Sequence, residues 1–380
     1  MASSIYSSII RIKTWTFFLL HVGYSSITEF GIFHILQGGP MHQHGLFDVQ
    51  MRHETIKQYA SMLDQLNRIV NWEDFRLTLE IIRNKERKSN AGRKPFDVVF
   101  MFKILVLQSL YNLSDAQMEF QITDRFSFMA FLGLPLNDRV PDEKTIWLFR
   151  EELTNAELIK PLFDRFEATL SAGGFAARKG QIIDATIVSV PKQRNSRAEN
   201  KQIKEGETPE DWESKPNKKR QKDTDARWTK KRNVTYYGYK NHVNVDVQHK
   251  FIRQYDVTNA SVHDSQVVGD ILDQNNGGQD VYADSAYVGE EVWKLLKEEG
   301  LRSQINEKGY RNRPLTDEQK ASNREKSKIR SRVEHVFGVQ SQRAGGLILR
   351  GIGLVRAKAK IGLRNLSYNL SRYALLTESG

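Results

Sequence analysis

The chain has 380 residues and no cysteine, which excludes disulfides, thiolate metal sites and cysteine nucleophiles and fits a cytoplasmic location. Its 39% hydrophobic and 10% aromatic residues suffice to bury a sizeable core. The 57 basic residues outnumber the 46 acidic ones, and the net charge of +11 predicts a polyanionic partner, most commonly nucleic acid. A merely basic enzyme is the alternative, but residues 302–364 alone hold 16 basic against 5 acidic side chains.

Residues 1–50 differ in character from the rest of the chain. The apolar run at residues 15–20 is far shorter than the roughly 20 residues that a membrane span needs, so no membrane partner is expected. No clear small-x-small cleavage site follows it, as a signal peptide would require. The break at Gly38-Gly39-Pro40 predicts a non-core extension, with Met41 or Met51 as alternative starts.

Residues 51–172 have helical periodicity and predict an all-helical N-terminal domain. Apolar stripes recur through residues 55–83, and an apolar helix is expected over residues 96–111. Ser114 before Asp115 is a typical cap for another short helix. A series of short helices of this kind fits a helix-turn-helix DNA reader, and it fits a plain helical bundle equally well.

The remainder, residues 173–376, predicts an α/β domain. Residues 181–190 are largely apolar on both strand faces, which is typical of a central strand. Asp184 is the exception, because an ionised carboxylate in such a strand is costly unless a cation or hydrogen bonds compensate its charge. The pattern predicts three antiparallel strands followed by two parallel strands in one mixed sheet flanked by helices, with strands at residues 181–190, 236–247, 251–257, near Asp280, and at 301–305.

Residues 192–233 interrupt this domain as a basic insertion. Residues 192–232 hold 14 basic and 8 acidic side chains with few aliphatic ones, so the segment is predicted to be mobile and unable to build a core. A solvated loop is one interpretation. The other is a phosphate-binding role, for which the candidates are Lys219, Arg220, Lys231 and Arg232.

Three carboxylates are the candidate catalytic and metal-binding residues: Asp184, Asp284 after the fourth strand, and Glu334 in a helix predicted over residues 327–337. Cleavage of a phosphodiester is well served by two divalent ions about 4 Å apart, one on the nucleophile and one on the leaving oxygen. Carboxylate oxygens suit Mg²⁺ or Mn²⁺. An aspartate at a sheet rim remains the alternative interpretation of Asp184 alone.

The motifs Ile-Ile-Asp184-Ala-Thr, Tyr-Gly-Tyr-Lys-Asn-His, Tyr-Ala-Asp284-Ser-Ala-Tyr and Arg-Val-Glu334-His-Val-Phe-Gly resemble the DDE transposases of bacterial insertion sequences. The chain is most similar to the insertion-sequence-five family among these. The resemblance implies a ribonuclease H-like catalytic core that holds two Mg²⁺ ions. It also implies an enzyme that nicks the inverted-repeat ends of an element and joins the freed 3′-hydroxyls to target DNA.

The family's last helix often carries Tyr, Arg, Glu and Lys at fixed spacing, and here Arg330 and Glu334 match whereas Ser327 and Ser341 replace Tyr and Lys. Arg330 is a candidate phosphate contact, with a surface ion pair as the alternative. The lost contacts are expected to be supplied by other arginines, for which the candidates are Arg332, Arg343 and Arg350. Lys240 and His242 share one strand face, which is either a DNA contact or simply solvated.

Three functions remain open from the sequence. The first is an active transposase, working as a homodimer or larger assembly because two DNA ends must be held together. The second is a stand-alone metal-dependent nuclease on the same fold. The third is a DNA-binding derivative of a decayed element, to which Ser341 and the first fifty residues give weight.

Overall fold

The computed structural model describes residues 45, 47–58, 61–84, 93–231, 233–344 and 348–378. The predicted extension and its alternative start at Met41 lie almost wholly outside these residues, and so does Arg232. The chain divides into a first unit, residues 1–52, and a second unit, residues 53–380, which contains every element discussed below except the start of the first helix. That helix is α1 (Asp48–Gln58).

The N-terminal part of the second unit is helical, as its periodicity predicts. Asp97 caps the central helix of this part by accepting hydrogen bonds from the amides of Val99 and Phe100. Ser114 caps the following helix, and its reciprocal bonds with Gln117 confirm the predicted cap. The helices are α2 (Met62–Ile69), α3 (Arg76–Glu80), α4 (Val98–Tyr111), α5 (Asp115–Asp124), α6 (Phe126–Leu132), α7 (Glu143–Asn155) and α8 (Ile159–Ala172).

A mixed sheet follows, which confirms the predicted mixed α/β class. Its strands are β1 (Gln181–Ser189), β2 (Arg227–Lys231), β3 (Val234–Asp246), β4 (Ile252–Asn259), β5 (Asp280–Tyr282) and β6 (Arg302–Ser303). The pairing runs β2-β3-β1-β5-β6, and β4 also pairs with β3. The β1–β3, β2–β3 and β3–β4 pairs are antiparallel, whereas β5 is parallel to both β1 and β6.

Gly238 of β3 allows the sheet to close tightly on β1. Its φ is +153°, and a Cβ at this position would lie 2.2 Å from the carbonyl oxygen of Val188. Any larger residue would push the two strands apart, which gives a physical reason for glycine in the Tyr-Gly-Tyr-Lys motif.

The helices that cover the sheet are α12 (Val268–Ile271), α13 (Glu290–Glu298), α14 (Asp317–Arg330), α15 (Arg332–Ala344) and α16 (Leu354–Glu378). Helix α16 packs on α2, α4, α7 and α8 as well as on β3 and β4, and one apolar core joins the helical part to the sheet. Asn365 of α16 exchanges two amide hydrogen bonds with Asn241 of β3, at 3.0 and 3.1 Å. At Gly362 a Cβ would lie 2.3 Å from the hydroxyl of Tyr255, so the helix and the sheet are in close contact.

The basic insertion is folded, and the prediction that it lacks a core is wrong. It contains α9 (Arg197–Lys204), α10 (Glu210–Glu213), α11 (Pro216–Arg220) and the added strand β2. Trp212 is fully buried, and Ile203 and Ala226 of the same segment are 6% and 2% exposed. One aromatic ring thus supplies the apolar area that the missing aliphatic residues do not, a common use of tryptophan in a polar segment.

The single helix predicted over residues 327–337 is two helices, α14 and α15, that meet at Ser331. The Ser331 hydroxyl donates to the carbonyl of Lys328 at 2.9 Å, and the amide of Glu334 donates to the carbonyl of Ser331 at 3.1 Å. These local bonds replace the regular helical pattern at this point, as serine side chains often do. The break lies three residues before Glu334 and sets its position.

Among the described residues, no single helix is long and apolar enough to cross a membrane, and only α4 and α5 together, across a 103° bend, reach the required length.

Candidate active site

Asp184 lies inside the sheet on β1, with 8% of the residue exposed. One carboxylate oxygen accepts the amide hydrogen of Ala185 at 2.8 Å, and the other accepts a hydrogen bond from Arg330 at 2.9 Å. Burial raises the pKa of Asp184 to about 6, against the opposing effects of the Ala185 amide and the Arg330 charge. The site therefore holds a carboxylate whose charge is only partly compensated by the chain itself.

Asp284 lies beside Asp184, because the parallel register of β1 and β5 pairs Ile182 with Tyr282. Continuing that register by two residues places the two aspartates on neighbouring chains, which are about 4.8 Å apart in a sheet. The charge of Asp284 accordingly contributes to the raised pKa of Asp184. One oxygen of Asp284 accepts the amide of Ala286 at 2.8 Å and caps the short turn Ser285–Tyr287.

Glu334 lies in the first turn of α15 and is exposed. Within the described residues, no three aspartate, glutamate, histidine or cysteine side chains converge closely enough to hold a metal ion. The oxygen donors of Asp184 and Asp284 fit a hard divalent ion, but the predicted set of three carboxylates is not assembled in this conformation. The guanidinium of Arg330 instead contacts the Asp184 oxygen that a metal ion would need.

Arg330 is the last residue of α14 and links this helix to the sheet. Its side chain is 22% exposed, and its Nε is buried without a hydrogen-bond partner in the part of the chain that the structure describes. The predicted phosphate contact therefore requires Arg330 to share or leave Asp184. The hydroxyl of Ser327, one turn earlier, accepts a hydrogen bond from the side-chain amide of Asn306 at 3.0 Å, and Ser341 is exposed on α15.

Lys240 and His242 do not form a solvated strand face, so that interpretation is wrong. Lys240 donates to Asp264 at 2.8 Å and to the carbonyl of Val262 at 2.6 Å. His242 is fully buried, with Nε2 at 2.8 Å from the hydroxyl of Thr258 and Nδ1 at 4.0 Å from Asp264. Burial lowers the pKa of His242 to about 4, and the residue offers no exposed surface to DNA in this conformation. Ala185 pairs with His242, and Ile183 lies on the same face of β1 and packs against Val268 and Ile271 of α12, so α12 covers part of this face.

Tyr287 lies near the Asp184–Asp284 pair and near Asp264, the partner of Lys240. Tyr287 was not singled out in the sequence. Its side chain is 1% exposed, and its hydroxyl has no hydrogen-bond partner among the described residues. Burial raises its pKa well above the usual value, and the charges of Asp184, Asp264 and Asp284 add to this effect. A buried, unpaired hydroxyl among three carboxylates is a candidate donor to the site, and the only sequence signal is its place in the Asp284 motif.

The remaining candidate DNA contacts are dispersed over the surface. Lys219 and Arg220 are exposed on α11, Lys231 is exposed at the end of β2, and the Lys231 charge lowers the pKa of Asp184. Arg332 is exposed but donates to the carbonyl of Val247 at 2.6 Å. Arg343 lies in α15, but its side chain is outside the described part of the structure. Arg350 is exposed in the segment before α16.

Replacing Asp184 by asparagine is expected to change how stability depends on pH. Because the folded-state pKa of Asp184 is about 6, its contribution to stability is fully present below the unfolded pKa, about 3.9, and is lost as the pH rises through 6. From pH 4 to pH 7.5 the unfolding free energy of Asp184→Asn should therefore rise relative to that of the native chain. The expected rise is about 2–3 kcal/mol, at about 1.4 kcal/mol per pKa unit. Urea unfolding at several pH values measures this.

The control is Asp142→Asn at the start of α7, where the Thr145 hydrogen bonds lower the pKa of the capping carboxyl. Over the same pH range its stability relative to the native chain should stay nearly constant, since a carboxyl with a lowered pKa contributes stability that is already present above the unfolded pKa and is lost only as the pH falls below it. A pH-independent difference for Asp184→Asn would contradict the raised pKa.

Two family models match the chain. The model described as "Transposase DDE domain" matches residues 176–370, more than half of the chain, and the model described as "Transposase domain (DUF772)" matches residues 51–152. A solved structure, the cryo-electron-microscopy structure of the piggyBac transposase synaptic complex with hairpin DNA, is similar over 83% of this chain and 74% of that chain. The sequence identity is 12% and the TM-score is 0.39.

Proposed function

The chain belongs to the transposase DDE domain family, whose members are enzymes that act on DNA, and from this premise we propose its reaction. It binds the inverted-repeat ends of an insertion sequence, cleaves them by metal-dependent phosphodiester hydrolysis, and joins the 3′-hydroxyl ends to target DNA. The observation that carries the proposal is the placement of Asp184 on β1 beside Asp284, which follows the end of the neighbouring parallel strand β5. Two adjacent carboxylates, one of them buried, are costly to the fold and useful to a cation.

Asp184, Asp284 and Glu334 are the proposed ligands of two Mg²⁺ ions, with Mn²⁺ as a substitute. Bound divalent ions supply an activated water and neutralise the charge that develops on the phosphate oxygens. The chain's own part is to bring Glu334 to the aspartates, and the break at Ser331 lets α15 turn relative to α14. Arg330 keeps Asp184 paired until then, and once released its guanidinium is positioned to bind a DNA phosphate.

The proposed reaction also implies a particular fold, a DNA-reading part and an oligomeric assembly. The mixed sheet with helices on its faces supports a ribonuclease H-like core over residues 173–376, and the sequence motifs support the insertion-sequence-five type. The helical part, residues 51–172, is the proposed reader of the element's ends, supported by the second family match. Pairing of two ends requires at least a homodimer on the DNA, and the expected location is cytoplasmic and nucleoid-associated.

A DNA-binding derivative without cleavage activity is the second candidate. The separation of Glu334 from the aspartates and the serines at positions 327 and 341 favour it. A stand-alone nuclease is distinguished from a transposase by the fate of the cut ends, since a nuclease does not join them to a second DNA.

The test is an assay with a labelled duplex that carries the element's terminal inverted repeat and a supercoiled plasmid as target. In Mg²⁺ we expect cleavage at the repeat end and joining of the labelled strand to the plasmid. In EDTA we expect binding without either product. Cleavage without joining supports the nuclease, and tight binding without cleavage in Mg²⁺ or Mn²⁺ supports the inactive derivative.

A further inference from the structure

A groove of about 890 Å³ lies between the helical part and the segment that leads into α16. We call it the basic groove. Its lining includes Trp147 of α7, Arg220 of α11, Arg350, and Lys360 of α16. Trp147 is 47% exposed, and Arg220 and Arg350 are exposed as well, so these side chains are accessible from solvent.

The acidic residues in the groove are already neutralised by the chain. Arg150 binds both oxygens of Asp115 at 2.6 and 2.7 Å. Arg356 binds Glu151 through Nε and Nη2, with distances of 2.9 and 2.7 Å to one of its oxygens. Paired in this way, the two carboxylates leave the positive charges of the other basic residues in excess.

In the described part of the chain, the basic residues of the groove without an ion pair are Arg220, Arg350 and Lys360. Among the described residues, neither Arg220 nor Arg350 lies within 4.0 Å of a carboxylate oxygen. Lys360 is largely enclosed, and burial together with the Arg150 charge lowers its pKa to about 8. An anion in the groove would therefore meet two guanidinium groups without an ion pair and the Lys360 ammonium, to which Asp115 contributes an opposing charge that it shares with Arg150.

The groove is tied to the candidate active site through β1. Ile348 pairs with Ser189, and the amide of Leu349 donates to the carbonyl of Ser189 at 3.1 Å. Ser189 lies five residues beyond Asp184 on the same strand, a distance of about 17 Å at about 3.4 Å per residue. One DNA strand advances about 3.4 Å per nucleotide, so this distance corresponds to about five nucleotides.

We propose that the basic groove binds the sugar–phosphate backbone of the element's end about five nucleotides from the scissile phosphate, with Arg220, Arg350 and Lys360 as phosphate contacts. The assignment rests on the proposed function, since it takes Asp184 as the position of the cut. Trp147 lines the basic groove, and in the proposed complex its ring contacts a sugar or an unpaired base. Arg220 thereby acquires a role that couples the folded basic insertion to the helical part.

The test is the double variant Arg220→Gln, Arg350→Gln, compared with Lys294→Gln, Lys297→Gln on α13, which removes the same net charge from exposed positions. Affinity for a fluorescent end duplex is measured against salt concentration in EDTA. We expect the groove variant to bind at least about tenfold more weakly and to lose about 1.8 from the slope of log affinity against log salt, or about 0.9 per phosphate contact. The control variant should stay within about twofold of the native chain in affinity.

A second measurement locates the contact. Neutral methylphosphonates at the fourth to sixth linkages from the cut should weaken binding by the native chain but not by the groove variant. Equal salt slopes for the groove and control variants, or methylphosphonates without effect at these linkages, would overturn the proposal. So would a groove variant that changes only self-association in sedimentation. Because binding is measured without metal, a failure of cleavage leaves this test intact.

Discussion

Replacing Asp284 by asparagine is expected to reduce cleavage of the element's end at least about 10³-fold, which corresponds to about 4 kcal/mol of transition-state stabilisation. The carboxylate is one of the two neighbouring acids of the site, and an amide oxygen is a much weaker ligand for Mg²⁺ than a carboxylate oxygen. Asparagine retains an oxygen that can accept the Ala286 amide, so the turn that follows β5 should stay folded. Initial cleavage rates in saturating Mg²⁺ measure the effect.

The matched control is Asp280→Asn, at the other end of the same strand. Among the described residues Asp280 accepts hydrogen bonds from Arg302 and Gln304, neither of which belongs to the site. Its variant should cleave within about threefold of the native rate, because exposed ion pairs contribute little to the fold. DNA affinity in EDTA should be unchanged in both variants. Cleavage by Asp284→Asn at a rate near that of Asp280→Asn would remove Asp284 from the active site.

Replacing Trp212 by alanine is expected to unfold the basic insertion locally, at a cost of about 3–5 kcal/mol. The ring is fully buried, its Nε1 donates to Glu199 at 2.7 Å, and the ammonium groups of Lys218 and Lys222 lie 5.6 Å from it. Few other apolar side chains hold α9, α10 and α11 together. Trypsin should therefore cut near Lys218 at least about 100-fold faster, since about 1.4 kcal/mol is tenfold in the open population.

Trp228→Ala is the control for this experiment. Trp228 is 42% exposed on β2, and its ring lies 4.9 Å from that of Tyr237. Loss of such a contact costs about 0.5–1.5 kcal/mol beyond the buried area, so the trypsin rate should rise about tenfold or less. Similar rates for the two tryptophan variants would show that the insertion is not organised around Trp212.

The features that local patterns determine could be predicted from the sequence. The apolar run on both faces of β1 identified a covered strand, and the same run made Asp184 conspicuous. Ser114 before Asp115 signalled the start of α5 because a capping side chain acts within its own helical turn, and the structure completes the capping box with Gln117. Asp284 was found by the same reasoning at the end of a short strand, whereas its proximity to Asp184 is seen only in the parallel pairing of β1 and β5 in the structure.

Features that depend on contacts between residues far apart in the chain could not be predicted from the sequence. Whether Trp212 is buried depends on Glu199, thirteen residues away, and composition alone does not reveal that pair. The alternation of β3 marked Lys240 and His242 as polar and therefore exposed, but Asp264 from another element pairs with Lys240 and covers that face. The break at Ser331 depends on one hydroxyl bond that competes with a strong helical pattern.

Helix α16 has a consequence for how such proteins diversify. At one end its Arg356 holds Glu151 of the helical part, and further along its Asn365 and Asn369 bind β3 and β4 of the sheet. A chimera that combined the helical part of one protein with the sheet of another would break one of these sets of contacts. The two parts are therefore not interchangeable modules. Descendants of this chain would acquire new DNA preferences by substitutions on exposed faces, and the two parts would be inherited together.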